Sequence, residues 1–259
     1  MNNRDKQLKA FGELLDIMDE IREKCPWDKK QTIESLRHLT IEETYELGDA
    51  ILDNDLEEIK KELGDLLLHI VFYAKIASEK NDFDIEGVIK GINKKLIHRH
   101  PHVFSDTVAK TEEEVAKNWE KLKLNEGRKS ILEGVPRSLP ALVKASRIQD
   151  KAASAGFDWD KSEQVFEKVQ EEVEELHQEV IANNTSKIES EFGDVLFSLI
   201  NYARFISVDP ESALERTNKK FIQRFQFIEK EALKEGKQIS EMTLSEMDVH
   251  WEKSKSFFK

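Results

Sequence analysis

Three observations predict an all-α protein built from two tandem helical domains. Gly and Pro number only ten and five in 259 residues, too few turn-formers for a β architecture. Apolar residues recur at three- and four-residue steps along most of the chain, as the buried stripe of an amphipathic helix does. The order of motifs in the first half then returns in the second, the mark of an internal duplication.

Leu8, Phe11, Leu14, Leu15, Met18 and Ile21 form the first stripe. Its helix ends at Cys25-Pro26, because proline restrains the residue before it and cannot continue the hydrogen bonding. A second helix is predicted from Thr32 to about Asp53 and a third from Leu56 to Ser78, joined at Asp53-Asn54-Asp55 with Asp55 as N-cap. A fourth runs from Ile85 to about Ile97 and is stopped by Pro101. Thr111, with Glu114 at the capping-box position, opens another that reaches about Leu124. Gly127, Gly134, Pro136 and Pro140 interrupt the periodicity. The expected division is therefore a domain over 1–126, a linker or ordered connection over 127–140, and a domain over 141–259.

The duplication is specific. Glu42-Glu43-x-x-Glu46-Leu47 returns as Glu171-Glu172-x-x-Glu175-Leu176, and Glu62-x-Gly64-Asp65 as Glu191-x-Gly193-Asp194, at a constant offset of 129 residues. Leu67, Tyr73 and Ala74 return at the same offset as Leu196, Tyr202 and Ala203. Asn93-Lys94-Lys95-x-Ile97-x-Arg99 returns as Asn218-Lys219-Lys220-x-Ile222-x-Arg224, and Trp119-Glu120-Lys121-x-Lys123 as Trp251-Glu252-Lys253-x-Lys255.

A helix turns about 100° per residue, so Glu42, Glu43 and Glu46 share one face, and Glu62 and Asp65 share a face of the next helix. The short turn between them suits an antiparallel pair in which the two sets meet. Carboxylates so gathered repel one another and need protons, basic partners or a metal. An all-oxygen donor set suits a hard cation, Mg2+ or Mn2+, and that cation suits phosphoryl chemistry. The competing reading is a solvated charged face. Two facts weigh against it: the spacing is duplicated, and the acidic residues abut the apolar runs Leu66-Leu67-Leu68 and Val195-Leu196-Phe197.

Lys95 and Arg99, like Lys220 and Arg224, lie four apart on one helix face, where they can grip phosphate or simply snorkel at a surface. Trp119 with Lys123 and Trp251 with Lys255 offer an indole to stack on a base and an ammonium for phosphate, or a packing tryptophan. His98, His100 and His102 invite a transition-metal reading, but Gln223, Phe225 and Phe227 stand in their place in the second copy. Glu174-x-x-His177 is half of a di-iron motif without its second half, since the first copy has Tyr45 and Gly48 there. Neither a P-loop nor a Rossmann fingerprint is present.

The net charge is -12, with 40 Lys+Arg against 52 Asp+Glu. That balance gives no general attraction for nucleic acid or an anionic membrane. The longest apolar run, Leu66–Ala77, is broken by His69 and Lys75 and is too short for a bilayer span. Cys25 is the single cysteine and the first residues are polar without a leader stretch, so the expected location is the cytoplasm.

At these residues the chain resembles the MazG nucleoside triphosphate pyrophosphohydrolases, within the all-α NTP pyrophosphatases. Lys24-Cys25-Pro26-Trp27-Asp28, Arg99-His100-Pro101-His102-Val103-Phe104, Leu132-Glu133-Gly134-Val135-Pro136 and Gly156-Phe157-Asp158-Trp159 look like the corresponding segments of two-domain members. The resemblance implies Mg2+-dependent conversion of (d)NTP to (d)NMP and pyrophosphate, with broad base tolerance, by a homodimer whose helical bundles close across the interface. It implies metal ligation by Glu172, Glu175, Glu191 and Asp194, a further ligand or water-orienting base at Glu171, and nucleotide binding by Lys220, Arg224, Trp251 and Lys255. The first-copy equivalents are Glu43, Glu46, Glu62, Asp65, Glu42, Lys95, Arg99, Trp119 and Lys123. Family precedent favours the C-terminal copy as the active one, although the first copy keeps the motif. The rival expectations are a non-catalytic nucleotide sensor or scaffold, a ferritin-like di-iron oxidase, and a narrower pyrophosphohydrolase of dUTP, a damaged dNTP or a guanosine alarmone.

Overall fold

The protein is described from a computed structural model over residues 3–105, 111, 114–115 and 130–258. The first half holds α1 (Arg4–Lys24), α2 (Ile33–Asp53), α3 (Leu56–Ser78), α4 (Ile85–Arg99) and a single turn, α5 (Pro101–Phe104). The second holds α6 (Ala141–Ser154), α7 (Ser162–Ile181), α8 (Thr185–Phe205), α9 (Pro210–Lys234) and α10 (Leu244–Ser254). No strand occurs among the described residues, and the fold is the expected all-α tandem. Contacts divide the chain into two compact units, Met1–Thr111 and Glu112–Lys259. The helix expected from Thr111 to Leu124 falls outside the described residues apart from Thr111, Glu114 and Val115, as do Trp119 and Lys123.

Local chemistry sets the element boundaries. Thr32 caps α2 through a reciprocal pair with Ser35, and the Asp55 carboxylate accepts from the backbone N–H groups of Glu57 and Glu58 at the head of α3. Between them Asn54 adopts the left-handed region at φ 55°, a conformation asparagine tolerates better than most residues. Asn183 repeats this at φ 54° between α7 and α8. Pro101 ends α4 as expected and also begins α5, where its missing N–H costs nothing.

The first unit packs α1, α2 and α3 around buried Met18, Leu36, Val71, Phe72 and Ile76, with Leu39 and Leu68 against them. Arg22 reaches from α1 to Glu79 just past α3 with two hydrogen bonds, 2.8 and 2.9 Å. The second unit buries Val165, Val169, Val195 and Ile200 between α7 and α8. It adds a smaller core of Ile228, Ala232 and Met242 with Trp251 between α9 and α10. The segment 130–140 is irregular but anchored: Lys151 Nζ donates to the Ile131 carbonyl at 3.0 Å and Lys144 Nζ to that of Arg137 at 2.7 Å. Among the described residues, no helix is long and apolar enough to cross a membrane.

Each repeat also leaves an apolar stripe in the open. Leu63, Leu67 and Ile70 are exposed along α3, and Phe192, Leu196 and Leu199 are exposed at the equivalent positions of α8.

The head of α10 gives an acid-sensitive contact. Glu246 accepts from Lys237 Nζ at 2.6 Å and from the Thr243 N–H and hydroxyl at 2.7 and 2.8 Å. Lys237 foremost, then Thr243, lowers its carboxyl to about 2. A depressed carboxylate contributes stability above its ordinary value and loses it as pH falls through the folded one. Acid titration followed by circular dichroism is therefore expected to show part of the helical signal lost as pH falls from the ordinary carboxylate range toward 2. Glu246→Gln should remove that component, and an unchanged curve would dismiss the contact.

Candidate metal centres and an adjoining chamber

The two helical hairpins bring the duplicated acidic residues together. In the first repeat one carboxylate oxygen each from Glu43, Glu46 and Glu62 lies within 4.8 Å of the others, and in the second the same holds for Glu172, Glu175 and Glu191. Asp65 and Asp194 stand outside these triplets but act on them electrostatically: Asp65 on Glu43, and Asp194 on Glu191.

The electrostatics are those of anions short of counter-charge. Burial first, and then the Asp65 charge, pushes the Glu43 carboxyl above its ordinary value. Burial, then Glu175 and Asp194, does the same to Glu191. Glu62 goes the other way because Lys61 donates to its Oε1 at 3.0 Å. Glu62 is only 1 % exposed, and its Oε2 is buried with no hydrogen-bond partner. A buried, unpaired carboxylate oxygen beside two more carboxylates fits a hard cation of the Mg2+ or Mn2+ type, which takes oxygen ligands.

The remaining expected residues are placed as follows. Glu171 accepts from Lys168 Nζ at 2.8 Å, and the same ammonium reaches Glu172 at 2.8 Å. Glu42 and Lys95 are exposed, whereas Arg99 is buried at the end of α4. Arg224 stacks over the Trp251 ring at 5.5 Å and donates twice to the Phe258 carbonyl, at 3.0 and 2.7 Å. Trp251 also meets Phe221 at 5.3 Å. Lys255 pairs with Glu252 at 2.5 Å, and Lys220 is half-buried on α9.

Sequence reasoning missed a chamber. Beside Glu172 and Asp194 opens a cavity of about 430 Å³, with walls from segment 130–140, α6, α7, α8 and the loop ahead of α7. Leu132, Phe157, Trp159 and Phe197 supply apolar wall, while Lys168, Gln149 and Asn201 supply polar groups. Gln149 donates Nε2–H to the Phe197 carbonyl at 2.8 Å, and its Oε1 is buried with no partner. Asn201 Oδ1 accepts from Arg204, which in turn grips Asp158 with bonds of 2.8 and 2.5 Å. The size and the mainly apolar lining with a few polar groups are those of a small-molecule site. Lys220, Arg224, Trp251 and Lys255 are not among the lining residues.

The repeat offset supplies an internal comparison. Positions Val165, Lys168, Phe197 and Asn201 of the chamber correspond to Leu36, Leu39, Leu68 and Phe72. In the first unit those four side chains close into the core with Met18. One backbone plan thus carries a chamber beside its carboxylates in the second repeat and packed hydrocarbon in the first.

An all-α tandem with cation-suited carboxylate clusters and an adjoining small-molecule chamber defines the class. Comparison with known proteins then gives the family. The profile of the MazG nucleotide pyrophosphohydrolase domain matches twice, over residues 31–104 and 160–227. A protein of Thermotoga maritima named nucleoside triphosphate pyrophosphohydrolase/pyrophosphatase MazG is 45 % identical over 250 residues, 95 % of each chain. One of Escherichia coli K12 named nucleoside triphosphate pyrophosphohydrolase is 40 % identical over 257 residues, 96 % of this chain and 98 % of its own. A solved mazG-related protein from Thermotoga maritima is 32 % identical, covers 44 % of this chain and 98 % of its own, and has a TM-score of 0.40. The chain belongs to the MazG nucleotide pyrophosphohydrolase family.

Proposed function

We propose that this chain hydrolyses nucleoside and deoxynucleoside triphosphates to the monophosphate and pyrophosphate, with broad base tolerance, at the second repeat. The names of two relatives matched over nearly their whole length point to nucleoside triphosphate pyrophosphohydrolysis. The observation that carries the assignment to the second repeat is the chamber opening on Glu172 and Asp194.

In this reading Glu172, Glu175, Glu191 and Asp194 hold Mg2+, for which Mn2+ can substitute. The cation supplies charge neutralisation and Lewis acidity at the phosphates. The base and sugar enter the chamber. Gln149 and Asn201 are amides, each able to offer donor and acceptor groups, which suits recognition without a strict choice of base. Lys168 fixes Glu171 and Glu172 through one ammonium. Glu171 orients a water and receives its proton as the water oxygen bonds to the α-phosphorus. The bond from that phosphorus to the α–β bridging oxygen breaks, and pyrophosphate leaves with the electron pair. Lys220, Arg224 and Lys255 hold the phosphate chain, a role supported by their duplicated spacing and by the affinity of such side chains for phosphate.

The active form in this reading is a homodimer in which the apolar stripes of α3 and α8 are covered by a second copy. The support is that both stripes are exposed and occupy equivalent positions. The cytoplasm is the proposed location.

The test is to incubate the protein with each common NTP and dNTP, with Mg2+ or with EDTA, and to resolve the products. Monophosphate and pyrophosphate, formed only with the cation, are expected. Diphosphate with phosphate would overturn the position of cleavage, and binding without turnover would favour a sensor. Glu171→Gln is expected to lower kcat by about 10²-fold or more, as loss of a general base does. Unchanged turnover with unchanged Mg2+ affinity would remove Glu171 from that role.

A further inference from the structure

Each of the two chamber amides has one end spent on the protein. Gln149 donates Nε2–H to the Phe197 carbonyl at 2.8 Å. A carbonyl only accepts, so the NH2 end of Gln149 must be the one that faces it, and Oε1 is the end left over. The side chain is 6 % exposed, and that oxygen is buried with no hydrogen-bond partner among the described residues. Asn201 is held the opposite way round. Arg204 donates to its Oδ1 from Nε at 3.1 Å and from a terminal nitrogen at 2.9 Å, which leaves the NH2 end to the chamber. Asp158 fixes Arg204 in turn.

The chamber thus presents one fixed acceptor and one fixed donor in a wall that is mainly apolar, with Phe157, Trp159 and Phe197 beside them. Both amides stand away from the acidic end. Asn201 lies two turns beyond Asp194 on α8, about 10 Å along the helix axis. Phosphates drawn to a cation at Glu172 and Asp194 therefore leave the amides to the far end of a nucleotide.

A buried acceptor without a donor is costly, and a site that holds one rejects a ligand unable to supply the donor. Every common base carries an N–H on the edge remote from its sugar: adenine at N6, guanine at N1 and N2, cytosine at N4, uracil and thymine at N3. Each of them can meet an acceptor of fixed orientation. A base that lacks such an N–H would bury Oε1 unpaired.

We propose that Gln149 Oε1 is the group that reads the base, by accepting one N–H from its edge. The chamber then admits every base with such a donor and discriminates against those without one. Gln149 acts so within the nucleoside site assigned above to the second repeat, and the inference rests on that reading.

The probes are two pairs of triphosphates, used with Mg2+ on the full-length chain. ATP is paired with purine riboside triphosphate, in which hydrogen replaces the amino group, and UTP with 3-methyl-UTP. The second member of each pair has no N–H on its base. In the wild type, loss of the donor is expected to lower kcat/KM by roughly tenfold or more, mainly through KM. The α,β-methylene analogues, which cannot be cleaved, should lose affinity to the same extent in calorimetry. In Gln149→Met, which lacks the acceptor, the members of each pair should become alike. A packing role for Gln149 would weaken all four nucleotides together and keep the ratios, and that result would overturn the proposal. So would equal use of ATP and purine riboside triphosphate by the wild type, a comparison that needs no variant to fold and adds no bulk to the base. 3′-Deoxy-ATP separates base from sugar. A loss with that nucleotide which Gln149→Met abolishes, with base donors indifferent, would place the oxygen against the ribose and overturn the proposal too. Failure to cleave any triphosphate, with analogue binding still dependent on the donor, would overturn the hydrolytic reading alone. Failure to bind any of them would overturn both.

Discussion

Asn201→Phe is expected to lower kcat/KM for nucleoside triphosphates by about 10²-fold or more, a loss on the scale of a misplaced substrate. The substitution writes into the second repeat the residue that the first has at Phe72, where the ring is 2 % exposed within the core. In the second repeat the same ring would project into the chamber between Gln149 and Phe197, and it would take from Arg204 the Oδ1 that accepts its hydrogen bonds. The loss should fall mainly on KM, because the carboxylates themselves are untouched. Mn2+ binding and the circular dichroism spectrum should remain those of the wild type. Lys168→Leu makes the companion change to the residue at position 39. It removes the ammonium that joins Glu171 to Glu172 and should depress kcat instead. Equal kcat/KM in Asn201→Phe and the wild type would show that the chamber does not receive the nucleoside.

The helices and the carboxylate clusters were legible because their signals are periodic and local. Thr32 and Asp55 mark helix ends through their side-chain oxygens and Pro101 through its missing N–H, and the structure uses all three at helix starts. Glu43, Glu46 and Glu62 needed only helical spacing and a short turn to be brought together. The chamber was not legible because its walls come from five separate stretches of chain, from Leu132 to Arg204. Segment 127–140 reads as a break in periodicity, yet Leu132 from it forms part of a wall. Lys168 was hidden for another reason. It sits one turn ahead of Glu171 on α7, and i,i+3 or i,i+4 Lys–Glu spacings are frequent on solvated helices.

The duplication contained a usable signal that motif comparison alone passes over. Matching Glu42 to Glu171 and Asp65 to Asp194 emphasises what both copies keep. The informative positions are those where an apolar residue faces a polar one at the same offset: Leu39 against Lys168, and Phe72 against Asn201. A buried polar residue with no partner in its own repeat is costly. A sequence that replaces hydrocarbon by amide or ammonium in a core position therefore indicates something that the amide or ammonium contacts. Gln149, 6 % exposed with its Oε1 unpaired, adds a second buried amide to the same wall.

Leu196→Asp is expected to convert the proposed dimer to a monomer and to take hydrolysis with it. Leu196 lies between Phe192 and Leu199 on the exposed stripe of α8, at 43 % exposure. Burying a leucine side chain fully is worth about 1.5–3 kcal/mol. A two-fold interface uses the same patch from both subunits, so each substitution counts twice. The loss of two half-exposed leucines, together with two carboxylates desolvated without partners, amounts to several kcal/mol, and each ~1.4 kcal/mol is tenfold in the dissociation constant. Dissociation is thus expected to strengthen by at least about 10²-fold, read as a halved mass in light scattering at micromolar protein. The site offers a second readout. The α7–α8 hairpin carries Glu172, Glu175 and Glu191 on the same two helices, so a monomer that loses the covering copy should also bind Mn2+ less tightly. A wild type already monomeric in light scattering and fully active would refute the dimer. A monomeric Leu196→Asp with normal turnover would leave the stripe as an assembly surface with no part in the chemistry.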